Sequence, residues 1–324
     1  MKVVEFAEPG EPAVLRVGER PKPVPKLDEV LIAVSAAGVS RADAMQRKGA
    51  YPPPAGASDI LGLEVAGTDE QTGAPVCALL SGGGYAEYVA VPREQVLPAP
   101  QGWTAVEAAT LPENMLTVYD NVWLRAHLQA QESILIHGGS SGIGTTAIML
   151  ARAFRAGLVI VTAGTEEKCA ACRRLGADLA LNYRTSDFVE QVASVTGGRG
   201  VDVIVDMVGG DYIARDLHAL AADGRIVSIA APTGQTAQVD LRLLMQRRGS
   251  IMASALRART PQEKGAIARA LLQHVWPLLP ARNPIRPVVD SVFPFEQAAQ
   301  AHERLESSAH IGKIVLVPTS ALTA

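Results

Sequence analysis

Only three cysteines occur in 324 residues, Cys77, Cys169 and Cys172. So small and odd a set cannot staple a fold, which excludes a disulfide framework and fits a reducing compartment. Cys169-Ala-Ala-Cys172 has the spacing of a zinc knuckle, but no second pair or nearby histidine accompanies it. A structural zinc needs four ligands, so the pair reads as two small residues on one helix face. Basic excess is missing too: the net charge is −3, which gives nucleic acid no electrostatic purchase. No apolar run approaches the roughly 18 residues of a membrane span. Met1 to Phe6 already reads as a strand rather than a leader, so a cytoplasmic protein is expected. Neither an internal repeat nor a low-complexity segment occurs.

What remains is an ordinary globular balance, 48% hydrophobic and 19% charged, at a length that predicts two domains or one large one. The first hundred residues read as short strands broken by glycine and proline. Strands are expected at 1–6, 29–38, 61–67 and 85–91, with a short helix over 39–49 stopped by Gly49. Pro21, Pro23 and Pro25 keep the first connection from being helical. This pattern points to a barrel-like β domain. Helical patterning follows at 105–109 and 116–128.

From Ile134 the chain alternates. Strands are predicted at 134–137, 159–163, 179–183, 201–206, 224–230 and 250–255, with helices over 145–154, 166–175, 188–195, 212–220 and 241–247. Six strands with intervening helices imply a parallel, doubly wound sheet. Past residue 257 the alternation stops: a helix over 264–279 ending at Pro280, a strand over 285–293, a helix over 295–305 and a strand over 313–317. The last strand is too isolated to fold alone. It and 288–292 are expected to return to the N-terminal domain, making that domain discontinuous.

The first alternating unit opens with Ser133-Ile134-Leu135-Ile136-His137-Gly138-Gly139-Ser140-Ser141-Gly142-Ile143-Gly144. An apolar strand runs into a glycine-rich turn and then a helix. Gly139-x-x-Gly142-x-Gly144 is a variant of the dinucleotide fingerprint, in which glycines let backbone approach a pyrophosphate at a helix N-terminus. About 20 residues on, an NAD-selective site carries a carboxylate for the ribose 2′-OH. Here that strand ends Val161-Thr162-Ala163-Gly164-Thr165, with no acid at its tip. Glu166 and Glu167 follow; they either decorate the positive end of a helix or turn inward against a 2′-phosphate. None of the six histidines is spaced with a carboxylate as a proton relay would be, and His137 reads as support for the fold.

A collinear set of segments resembles one family over essentially the whole length. These are Arg41-Ala42-Asp43-Ala44-Met45-Gln46-Arg47, Tyr51-Pro52-Pro53-Pro54, Leu61-Gly62-Leu63-Glu64, Leu111-Pro112-Glu113, Asp223-Gly224-Arg225 and Ile311-Gly312-Lys313-Ile314-Val315-Leu316. The family is the zinc-free quinone oxidoreductase branch of the medium-chain dehydrogenase/reductases, and within it the chain is most similar to the zeta-crystallin and tumour-suppressor-inducible NADPH:quinone oxidoreductase group. The resemblance implies an α/β protein with a discontinuous, GroES-like catalytic domain (1–115 and 257–324) and a six-stranded Rossmann domain (116–256). Where zinc alcohol dehydrogenases have a cysteine and a Gly-His-Glu, this chain resembles them only in part, with Ser40 and Gly62-Leu63-Glu64. Leu63 cannot bind metal, so no metal site is expected.

The resemblance further implies NADPH as cofactor, with Gly139, Ser141, Gly142, Ile143 and Gly144 at the pyrophosphate. Gly164, Thr165, Lys168 and Tyr183 would lie at the 2′-phosphate, and Thr117, Val208, Ala230, Ala231, Ser254 and Leu256 about the nicotinamide. For the alanines, plain core packing stands as the alternative. Tyr51 and Ser40 are the implied catalytic residues, in a pocket between the domains. The implied reaction is metal-free hydride transfer to a small-molecule quinone. An alkenal or enoyl reductase and a non-catalytic NADPH-binding structural protein are the alternatives. A homodimer is expected, paired through the apolar sixth strand.

Overall fold

Alternating apolar residues at the N-terminus make a hairpin, β1 (Lys2–Glu5) antiparallel with β2 (Arg16–Glu19). The computed structural model describes residues 1–279 and 285–319. Next comes β3 (Glu29–Val39), which buries Val30, Ile32 and Val34 on one face and nearly every residue beyond. Helix α1 (Arg41–Arg47) is started by Ser40, whose side chain and that of Asp43 cap each other's backbone N–H. Then follow β4 (Glu64–Asp69), β5 (Pro75–Leu79), β6 (Tyr88–Pro92), β7 (Val96–Pro98), α2 (Ala105–Ala108) and α3 (Pro112–Tyr119).

The chain next alternates through β8 (Ser133–Ile136), α4 (Gly142–Ala153), β9 (Leu158–Ala163), α5 (Glu166–Leu175), β10 (Leu179–Asn182), α6 (Phe188–Val195), β11 (Val201–Asp206), α7 (Tyr212–Ala219), β12 (Leu220–Ser228), α8 (Leu241–Arg247) and β13 (Ser250–Ala253). It closes with α9 (Pro261–His274), β14 (Val289–Pro294), α10 (Ala298–Glu306) and β15 (Lys313–Val317).

Two compact units result: Met1–Leu116 with Leu256–Ala324, and Thr117–Ala255. In the first, β15 pairs antiparallel with β3, setting Val315 opposite Gly38, and carries β14 beside it. The sheet runs β14-β15-β3-β4-β5-β7, with β6 also on β3. Strands from both ends of the chain therefore share one core, in which Val30, Ile32, Val65, Val91, Phe295, Leu305 and Ile314 pack together. In the second unit all six strands are parallel, in the order β10-β9-β8-β11-β12-β13. This is the doubly wound order, whose ligand crevice lies beyond the carboxyl ends of the strands.

Differences from the sequence expectation have local causes. Helix α4 starts at Gly142 rather than Thr145, because Ser141 accepts from the Gly144 N–H and draws the glycines into the first turn. The helix expected over 116–128 is α3 followed by a wider π-helical turn, Asp120–Arg125, beside which the Asn121 amide donates to the Thr117 carbonyl at 2.8 Å. Strand β12 begins four residues early because Val201 pairs with Leu220, and the ladder breaks its register before Arg225 pairs with Val203. Helix α9 is set forward by the Thr260 cap and Pro261, and ends at His274. Pro280, expected to stop it, lies outside the described residues. Strands β2, β5 and β7 are not foreseen by the pattern: four, five and three residues long, they lack a legible alternation. Among the described residues no helix is long and apolar enough to cross a membrane.

Candidate functional site

The turn between β8 and α4 is built by contacts that only glycine permits. A Cβ on Gly139 would sit 2.6 Å from Val161 Cβ, and one on Gly144 would sit 2.3 Å from the Gly138 oxygen. Gly138 takes a φ of +66°, the left-handed region that favours glycine. The N–H of Gly139 is held by Thr162 O at 2.9 Å, and Ser141 Oγ accepts from Gly144 N at 3.0 Å. The N–H groups of Gly142 and Ile143 open the helix, where α-helical geometry offers no internal partner. Two backbone donors at the positive end of a 12-residue helix fit a pyrophosphate.

Beneath this turn lies His137, fully buried, with Nδ1 3.0 Å from Thr162 Oγ1 and Nε2 2.8 Å from Asp216 Oδ1. The pairing is one that no spacing in the sequence shows, and it supports the fold, as His137 is expected to do. The partner stands 79 residues away on α7, beyond the reach of any spacing rule. Phe188 and Tyr212 pack edge-on against the imidazole, which keeps the pair a buried prop.

At the tip of β9 the structure brings Gly164 and Tyr183 together: a Gly164 Cβ would come 2.7 Å from the tyrosine hydroxyl. Thr165 caps α5 by accepting from Lys168 N at 3.3 Å, placing Lys168 in the first turn, half-buried. Glu166 pairs with Arg173 along the same helix, and both acids are exposed. Of the two orientations open for them, Glu166 therefore takes the outward one. No acid stands at the strand tip, and a lysine and a tyrosine do, which fits a 2′-phosphate.

The tip of β11 is shaped by Asp206, which sequence reasoning does not single out. Its buried carboxylate accepts from Val208 N at 2.8 Å and from Gly209 N at 3.0 Å. A carboxylate just before a Gly-Gly pair is the available signal. Gly209, with φ +76°, lies so close to Ala231 that a Cβ would meet its Cα at 2.6 Å. Ala230 and Ala231 are not buried, which removes core packing as their explanation. Ser254 donates to Asn121 Oδ1 at 2.8 Å, and Asn121 donates on to Thr117, so these candidates form one chain. Leu256, half-buried, belongs to the other unit.

In that unit Ser40 is buried, and its hydroxyl donates to Asp43 Oδ2 at 2.9 Å. That proton is committed to the helix cap. Asp43 also accepts from Gly62 N at 2.8 Å and from Tyr85 Oη at 3.4 Å. Burial raises the Asp43 carboxyl and carries the Tyr85 phenol well above the usual range. Tyr85 continues to His302 at 3.2 Å, and His302 to Arg47 at 3.3 Å. Burial, with Arg47 beside it, takes that imidazole down to about 3, so it is neutral. Nearby, Lys313 Nζ stands 2.6 Å from Glu64 and 3.5 Å from Glu113. Burial pushes Glu64 up to about 7 against the pull of Lys313. Leu63 is buried, and among the described residues no group of three histidine, cysteine or acidic side chains is placed to hold a metal. Tyr51 is half-buried; its carbonyl accepts from Arg257 Nη1 at 3.3 Å, and the guanidinium lies 5.2 Å from its ring centre.

Comparisons with known proteins agree with this architecture. The alcohol dehydrogenase GroES-like domain model matches residues 26–101, and the zinc-binding dehydrogenase model matches residues 175–316. The chain is 32% identical over 334 residues to the quinone oxidoreductase of Lama guanicoe, covering 98% of this chain and 97% of that one. Against the quinone oxidoreductase of Homo sapiens it is 30% identical over 333 residues, covering 98% of each. Among solved structures, the quinone oxidoreductase of Thermus thermophilus, also solved with NADPH, matches at a TM-score of 0.84 and 32% identity over 98% of this chain and 100% of that one. The Escherichia coli quinone oxidoreductase complexed with NADPH matches at 0.82 and 27% over the same shares.

Proposed function

This chain belongs to the quinone oxidoreductase group of the medium-chain dehydrogenase/reductases, and on that premise we propose that it reduces quinones with NADPH. The observation that carries the reading is the paired anion seat of the second unit. Gly142 and Ile143 N–H groups stand at one strand tip, and Lys168 with Tyr183 at the next, where no carboxylate intrudes.

When bound, NADPH supplies a hydride, so that a quinone gaining it and one further proton leaves as hydroquinone. The residues' part is to bind and position. Gly139 and Gly144 let the backbone close on the pyrophosphate, Ser141 fixes the turn, and Gly164 and Thr165 leave room for the 2′-phosphate that Lys168 and Tyr183 hold. Thr117, Ser254, Val208, Ala230 and Ala231 would hold the nicotinamide. Tyr51 donates its hydroxyl to a quinone oxygen, and it or water delivers the proton. Ser40 shapes this region through Asp43. Zinc has no part, since Leu63 and the committed Ser40 supply no ligands; metal analysis of an active preparation finding stoichiometric zinc would overturn that.

The test of the cofactor reading is Lys168→Ala. It raises KM for NADPH by about tenfold, the loss of one charge-assisted hydrogen bond, and leaves KM for NADH nearly unchanged. Equal effects on both would remove Lys168 from the 2′-phosphate. The protein is cytoplasmic and homodimeric in this reading. β13 ends the parallel sheet with Ile251 exposed, an edge that a second copy would cover; a monomer by sedimentation would reject the dimer.

A further inference from the structure

Two buried cations of the first unit have no ion-pair partner among the described residues. Arg257 is 5% exposed and Lys264 1% exposed. Arg257 donates to the carbonyls of Ser81 (3.0 Å) and Tyr51 (3.3 Å) and to Gln46 Oε1 (2.5 Å). Lys264 Nζ donates to Ser81 Oγ (2.6 Å) and to the Arg257 carbonyl (2.9 Å). Among the described residues neither forms an ion pair with a carboxylate. Asp43 and Glu113 act on Arg257 only through space, and the charge acting on Lys264 is a second cation, Arg257. The nearest acid on α9, Glu263, is folded back onto Thr260, 2.8 Å from its N–H.

Burying an unpaired charge costs several kcal/mol, and hydrogen bonds to neutral carbonyls recover only part of that. A guanidinium has five N–H donors and an ammonium three, so both retain uncommitted ones. Arg257 and Lys264 are also among the residues that line an open groove of about 640 Å³ within this unit, with Pro54, Gly82 and Tyr88. Lys264 lies in the first turn of the 14-residue α9, where the helix's own positive end adds to its charge. Acids do occur on the groove, Asp28 and Glu29, but Glu29 is engaged by Lys26 at 3.7 Å.

We propose that this groove is an anion subsite, in which Arg257 and Lys264 hold a negatively charged substituent of the quinone. The inference rests on the quinone reading, because Arg257 also fastens the backbone of Tyr51 and so links the subsite to the residue proposed to meet the quinone oxygen. It narrows the substrate class to quinones bearing a carboxylate, sulfonate or phosphate.

Calorimetric titration of NADP⁺-saturated protein with 2-naphthalenesulfonate and with its neutral isostere, 2-naphthalenesulfonamide, tests it. The wild type is expected to bind the sulfonate about tenfold more tightly, as a charge-assisted pair requires. Lys264→Met brings the ratio to about one, whereas Lys264→Arg, which keeps the charge, retains the preference. Equal affinities in the wild type overturn the proposal even if no variant folds, as does a preference that survives Lys264→Met. Turnover of uncharged 1,2-naphthoquinone, assayed separately, judges the quinone reading. A chain that turns it over but shows no sulfonate preference loses only the subsite, and one that prefers sulfonate without turnover loses only the quinone reading.

Discussion

The two units bury polar groups in opposite ways. The first sinks whole charges into its core: Asp43, Arg47, Glu64 and Lys313 are all 5% exposed or less. They are reconciled by contacts between distant segments, such as Lys313 with Glu64 and Arg47 with Glu306 at 2.7 Å. The second keeps its sheet apolar, with Ile134, Leu135, Ile136, Val159, Ile160, Ile204 and Ile226 fully buried. Among its buried acids, Asp206 accepts from backbone N–H groups at a strand tip and Asp216 meets His137 beneath the glycine turn. Ionic interiors hold a discontinuous barrel together; apolar interiors leave the polar groups of a parallel sheet free to build a site at its carboxyl edge.

The severest way to break this contrast is Lys313→Met. The variant removes the ammonium that pulls the Glu64 carboxyl down, so Glu64 is left buried without its partner, either as an unpaired carboxylate or driven to take up a proton. Stability in urea unfolding at pH 8 falls by about 3–5 kcal/mol. A loss below about 1 kcal/mol would mean that the first unit does not depend on its ionic core. In the second unit the strongest lesion is steric. Gly144→Ala drives a methyl to within 2.3 Å of the Gly138 oxygen. It costs about 1–3 kcal/mol of overpacking strain, and NADPH titration shows its affinity falling with it.

A gentler probe is pH. The folded-state carboxyl of Glu64 is raised from 4.5 to about 7, so the folded chain keeps a proton that the unfolded chain releases. Its contribution to stability is therefore largest at the acid end and declines as pH rises from 4.5 to about 7. The slope is at most about 1.4 kcal/mol per pH unit. Glu64→Gln flattens it, and an unchanged slope in that variant would assign it elsewhere. The smallest effect belongs to Asp223→Asn, which weakens the exposed pair with Arg248 at 2.6 Å. No resolvable change is expected in the same unfolding assay, since both partners are exposed and solvent screens such pairs.

Legibility follows range. The strands over 201–206 and 313–317 and the helices over 166–175, 188–195 and 241–247 are read residue for residue, because apolar periods of two and 3.6 are local facts. The glycine turn and the acid-free tip at Gly164 are equally visible. Ser40 takes its expected role from its neighbours in a family pattern, yet its hydroxyl answers to Asp43, three residues on. His137 looks solitary in the sequence, although Asp216 completes it from 79 residues away.

By itself, then, the sequence determined the alternation that winds a parallel sheet, the glycines that let backbone close on an anion, and the absence of an acid where a 2′-phosphate would lie. Tertiary structure alone decided what each buried charge meets: Lys313 meets Glu64, Arg257 the carbonyl of Tyr51 across 206 residues, and among the described residues neither Arg257 nor Lys264 is paired with an acid. The physical reason is that backbone propensity and hydrophobic period act over a few residues. A buried charge, by contrast, takes its partner from whatever segment the packed core brings within reach.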